Sequence, residues 1–197
     1  EAVGTPHLVK ITSRDPGAPP VSYIEKSGGL FLDMTIHDFD MARFVVDKEI
    51  EEVYAKGAVL VDPAIGEVGD IDTAVVTLSY TDGTMAIIDN SREASYGYDQ
   101  RVEAFGSKGS ATNTNLYPDA VSLSNANTVK RASLPMNFFL ERYMDSYQIE
   151  LQAFVDAVLN DTPVLVTGYD GRVPVVMAMA AKLSMIENRP VRLSEIG

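Results

Sequence analysis

The 197-residue chain has no cysteine. That rules out disulfides and thiolate metal sites, and it fits a reducing cytoplasm. No run of about 18 apolar residues is present, so no membrane span is expected. The opening EAVGTPHLVKITSRD has no basic flank followed by an apolar core, so it does not read as a signal peptide. Basic residues are few: 16 Lys and Arg stand against 28 Asp and Glu, a formal net charge of −12. Such a surface repels nucleic acid, and because the acidity is spread along the chain it reads as solubility rather than an acidic tail. Histidine is scarcest of all, with only His7 and His37.

With 46% hydrophobic and 22% charged residues, the chain can bury a sizeable core. Residues 7–14 read as a first strand. The segment 15-DPGAPPVSYIEKSGG-29 reads as a loop, because its prolines propagate neither a helix nor a central ladder. An apolar helix is expected over about 31–46. The period then changes to two, giving strands at 50–61, 72–81, 84–91, 101–107, 110–114, 120–125 and 128–132. Asp82-Gly83 and Lys108-Gly109 look like two-residue type I′ hairpin turns. Helices are expected over about 143–161 and 171–187, ended by Asn188-Arg189-Pro190 before a short terminal strand. The sum is an α+β fold: a large, mostly antiparallel open sheet with the helices on one face. Strands around Val75, Val76, Ile87 and Ile88 are apolar on both alternations, so the uncovered face is expected to meet a partner subunit.

The stretch 28-GGLFLDMTIHDFDMARFVV-46 sets Asp33, His37 and Asp40 on one face of the apolar helix, with Asp38 between them. An unpartnered buried carboxylate is costly, so this line must pair internally, face water or line a ligand site. Three readings stand open. Asp33 caps the helix start and His37 is a core histidine satisfied by Asp33 or Asp40. A metal binds, which wants a second histidine when the only other is His7. Or His37 is an acid/base with Asp33 beside it, and Gly28-Gly29 lets the backbone pass close to a ligand.

The run TSRDP…GG-x-F-x-DMTIHD-x-DMARF resembles the C-terminal domain of the glucose–fructose oxidoreductase/inositol dehydrogenase family, most nearly its inositol 2-dehydrogenases. YGYD at 96–99, VEAFGSKGSA at 102–111 and TGYDGRVPVVMAMAAKLSMIENRPVRL at 167–193 extend the likeness over essentially the whole chain. The resemblance implies a two-domain NAD(P)-dependent enzyme that oxidises a secondary hydroxyl of a cyclitol, myo-inositol to 2-keto-inositol. His37 falls on the family's general acid/base and Asp33 on its carboxylate neighbour. Ser13, Asp15, Asp40 and Tyr98 fall on substrate contacts, with Tyr96 as the alternative to Tyr98. No metal is implied. The chain has no G-x-G-x-x-G between a strand and a helix, and GSKGS at 106–110 belongs to a hairpin. Residues 1–197 are therefore expected to be a substrate-binding and oligomerisation domain whose NAD or NADP site lies on a missing N-terminal domain. A cytoplasmic homotetramer in inositol catabolism is implied, inactive as the isolated chain. The competing reading is a non-catalytic sugar-sensing or assembly module of the same fold.

Overall fold

The computed structural model describes residues 2–197. Its centre is a seven-stranded sheet in the order β6-β5-β1-β4-β3-β2-β9. The strands are β1 (Pro6–Arg14), β2 (Ile50–Ala58), β3 (Thr73–Tyr80), β4 (Met85–Ser91), β5 (Asp99–Gly106), β6 (Gly109–Asn113) and β9 (Val191–Arg192). A separate two-stranded sheet pairs β7 (Ser122–Asn125) with β8 (Thr128–Ala132). The expected α+β class and mostly antiparallel pairing hold. β1 and β4 are the parallel exception, in register from Leu8↔Met85 to Arg14↔Ser91. That pairing brings Asp15 and Arg92, each just past a strand end, to the same edge of the molecule.

Period-two alternation gives the sheet two unlike faces. Val9, Ile11, Val53, Ala55, Val76, Leu78 and Ile88 point into the core, against Phe39, Ala42 and Val46 of α2 (Ile36–Val46) and Met177 and Ala181 of α6 (Gly168–Glu187). Tyr80 crosses this layer and donates its hydroxyl to Ala42 O at 2.7 Å. Ser184 of α6 accepts a bond from the Ala55 amide at 3.0 Å. On the outer face Val75, Met85, Ile87 and Phe105 are exposed.

Several local expectations are corrected. The hairpin at Asp82-Gly83 is not a two-residue type I′ turn: Gly83 N donates to Tyr80 O and Tyr80 N to Thr84 O, so Thr81, Asp82 and Gly83 all lie in the loop. Only Gly83 takes a left-handed φ, +88°, whereas a type I′ turn demands one at both central residues. In the next hairpin Gly106 pairs with Gly109, so the two loop residues are Ser107 and Lys108. The segment read as a loop contains helix α1 (Val21–Ser27), because Pro20 sits at its N-cap, where a missing N–H costs nothing. Finally, α5 (Met144–Leu159), which follows the short helices α3 (Pro63–Glu67) and α4 (Phe139–Arg142) in the chain, does not pack on the sheet with α2 and α6; Ala157 is its only buried residue.

Candidate active site

The polar line begins in a π-helical turn, Phe31–Thr35, that runs directly into α2. Such turns recur at functional sites because they re-aim side chains within a helix. The turn starts at Gly29, whose carbonyl accepts from both Leu32 N and Asp33 N. Gly29 has φ +89°, and a Cβ there would stand 2.8 Å from Asp70 Oδ1. The close neighbour of this glycine within the protein is thus Asp70, which accepts from Leu30 N at 3.0 Å.

Asp33 does not cap the helix, since neither the π-turn nor α2 has a side-chain cap. Its two oxygens are taken by other groups: Tyr23 donates its hydroxyl to Oδ1 at 2.6 Å, and Arg92 Nη1 donates to Oδ2 at 2.9 Å. His37, four residues on, is exposed, and no hydrogen bond joins it to Asp33 among the described residues. The core-histidine reading therefore falls. Asp40 is exposed one turn further along, 3.8 Å from Arg43 Nη1.

Asp15 follows β1, and its charge is felt by Arg92, Asp33, Tyr23, Asp38 and Tyr98. Burial pushes its carboxyl up to about 6, Arg92 opposes this and Asp33 adds to it. A carboxyl that titrates there can either donate to or accept from a hydroxyl. Tyr98 is buried, edge-on to Phe138 and Tyr143 at 5.4 and 6.4 Å. Burial first, then Tyr143, Asp15 and Asp38, raise its hydroxyl well above the ordinary range. Tyr96 belongs to a different network: it accepts from Arg14 Nη1 at 3.0 Å and donates to Asp99 Oδ2 at 2.6 Å. Of the two tyrosines, Tyr98 is the one near Asp15 and Asp38.

Ser13 is buried, and its hydroxyl donates to Gln100 Oε1 at 3.0 Å, so it is engaged inside the protein. Beneath it lies a closed polar chain. Thr35 Oγ1 donates to Asn90 Oδ1 at 2.7 Å, and Asn90 Nδ2 donates to Asp38 Oδ2 at 2.7 Å and to Ser13 O at 3.3 Å. Burial lifts the Asp38 carboxyl to about 7, against the Asn90 bond that lowers it; the charges of Asp15 and Asp89 raise it further.

The fold therefore gathers Asp15, Asp33 and Tyr98, leaves His37 exposed one helical turn on from Asp33, and sets Asp40 apart with Arg43. Arg92, Tyr23 and Asn90 are the partners of Asp33 and Asp38 that the sequence pattern missed, and no periodicity marks them. Within this cluster Asp15 and Asp33 are half-buried, Tyr98 is buried and His37 is exposed. A cavity of about 270 Å³ beside the cluster is lined by Ile24, Gly29, Leu32, Asp70 and Met179, without His37, Asp15 or Tyr98. No group of three His, Asp or Glu side chains among the described residues is arranged to hold a metal. The chain's residues suit a substrate's hydroxyls better than a dinucleotide, for which it offers no glycine-rich phosphate loop.

The GFO/IDH/MocA C-terminal domain model matches residues 1–112. The myo-inositol 2-dehydrogenase of Thermotoga maritima is 52% identical over 194 residues, 98% of this chain and 58% of that protein. The crystal structure of a probable dehydrogenase from Thermotoga maritima superposes with a TM-score of 0.96 at 51% identity, over 100% of this chain and 59% of that one. The scyllo-inositol dehydrogenase of Lactobacillus casei, solved with bound NAD(H) and scyllo-inositol, superposes with a TM-score of 0.87 at 32% identity, over 98% of this chain and 58% of that one. The chain thus spans under two thirds of the length of these relatives.

Proposed function

Because the chain belongs to the GFO/IDH/MocA C-terminal domain family, we propose that it is the substrate-binding domain of an NAD-dependent dehydrogenase that oxidises a secondary hydroxyl of a cyclitol, with myo-inositol the first candidate. The observation that carries this reading is the exposed imidazole of His37 one helical turn from Asp33, whose carboxylate is ion-paired, with the titratable Asp15 nearby.

His37 is the base that takes the hydroxyl proton, since a neutral imidazole near pH 7 is suited to that transfer. Asp33 supplies negative charge beside the imidazolium that forms. Bound NAD, or NADP, would accept the hydride from the carbinol carbon, and it would be held by a separate N-terminal domain. Asp15 and Tyr98 bind the remaining hydroxyls and so select the carbon that faces the cofactor. Ser13 acts through Gln100 rather than on the polyol directly, and Asp40 stands at the margin of the site.

The same reading includes a cytoplasmic homo-oligomer joined through the open sheet face, where Val75, Met85, Ile87 and Phe105 form an apolar surface. The test is inositol-dependent NADH formation by the intact protein across a panel of inositol stereoisomers. Turnover with at least one of them is expected. A protein that binds inositols without reducing NAD would be a sugar-sensing module instead.

A further inference from the structure

Arg92 is 1% exposed, one of the most deeply buried large side chains in the protein. It follows β4 directly, and its backbone amide is held by Asp72 O at 2.8 Å. Nη1 donates to Asp33 at 2.9 Å, while Nη2 lies 3.6 Å from Asp70 Oδ2. Asp70 in turn receives the Leu30 amide at the start of the π-turn. Nε and Nη2 of Arg92, like Oδ2 of Asp70, are buried without a hydrogen-bond partner among the described residues. An arginine kept only for stability would use its donors, because each one buried unbonded is a cost. This one spends its single short bond on the carboxylate beside His37.

We propose that Arg92 is a positioning residue of this site: its guanidinium fixes the direction of the Asp33 carboxylate and offsets the charges of Asp33, Asp70 and Asp15. The proposal takes its meaning for catalysis from the polyol-oxidation reading, but its electrostatic part does not depend on it. Tyr23 completes Asp33 from the solvent side, which leaves the carboxylate no freedom to turn away. Arg92 thus touches the middle of the turn through Asp33 and lies beside its start through Asp70, which holds the Leu30 amide. A lysine could supply the charge but not the planar fork. The charged and titratable groups facing Asp15 are Arg92, Asp33, Tyr23, Asp38 and Tyr98.

The experiment reads the Asp15 carboxyl by ¹³C NMR titration in the 197-residue chain and turnover in the intact dehydrogenase. In the parent protein the Asp15 midpoint is expected at about 6, raised by burial. Arg92→Gln should move its midpoint to a pH higher by about 0.5 or more, because the nearest cation is gone, and Asp33→Asn should move it lower, because a like charge is gone. These opposite signs are not produced by general loosening. In the intact enzyme, Arg92→Lys should lower kcat for myo-inositol about tenfold, with KM changed less than about threefold. An Asp15 midpoint that stays put in folded Arg92→Gln overturns the proposal, as does unchanged kcat in Arg92→Lys. Should Arg92→Gln not fold, an unmoved midpoint in Asp33→Asn overturns it equally. An intact parent protein that oxidises no inositol would overturn the polyol reading alone, with the titration still deciding the role of Arg92.

Discussion

Helices α5 and α6 have similar apolar content and meet opposite fates. In α6, Ala178, Ala180 and Ala181 are buried against the sheet and α2, and Ser184 is bonded to the β2 backbone. In α5, Ile149, Leu151, Phe154, Val158 and Leu159 are exposed. Small side chains let α6 approach the strands closely enough for its serine to reach a strand amide. The bulky residues of α5 spread over a wide arc, a pattern made for burial that this chain does not bury. Apolar periodicity identifies a helix, then, without saying what it packs on. Helix α2 belongs with α6: its apolar side is core, while His37 and Asp40 on its polar side stay exposed.

The sharpest test of this contrast is in the core beneath the line. Phe39 is fully buried between α2 and the sheet, and Phe39→Ala should cost about 3–5 kcal/mol in urea unfolding. A loss below about 1 kcal/mol would mean that α2 is not anchored as described.

The open line is tested next, in the intact enzyme. His37→Ala should lower turnover with myo-inositol about 10²-fold or more, with NAD affinity little changed, because the base acts in the transition state. An unchanged rate would remove His37 from the chemistry.

The buried polar chain beneath the site gives a pH signature. Asp38 ionises near 3.8 when unfolded and at about 7 when folded. Between those values the folded state holds one proton more. The stability from this group is therefore full below about pH 4 and lost as the pH rises through about 7. From pH 5 to 8 the parent protein should lose about 2–3 kcal/mol relative to Asp38→Asn, whose neutral side chain keeps an acceptor for Asn90. Asp15 contributes in the same direction, with its own loss ending near pH 6. Parallel stability curves for the two proteins would show that Asp38 is ionised in the fold.

The smallest effect belongs to α5. Phe154→Ala should change the unfolding free energy of this chain by no more than about 0.5 kcal/mol, as for an exposed surface position. A loss comparable to that of Phe39→Ala would break the comparison with which α5 and α6 are distinguished here.

Local patterns determined most of the element order by themselves. Alternation located β1 to β6, the Asn188-Arg189-Pro190 stop ended α6, and the spacing of Asp33, His37 and Asp40 put them on one helical line, because these periods are properties of the backbone. The motif residues also carried the family resemblance. Tertiary structure alone decided what each residue on the line does. Asp33 pairs with Arg92, 59 positions away in sequence, because β1 and β4 run parallel and their ends meet beside the π-turn. The same meeting brings Asn90 under Asp38, while Tyr96 and Tyr98, on either side of Gly97 at φ +109°, end in different networks. Bare α5 and the three-residue turn at Gly83 were likewise beyond local reading. A helix's partner and a hairpin's register are set by groups distant in the chain, and burial and charge take their sign from those neighbours.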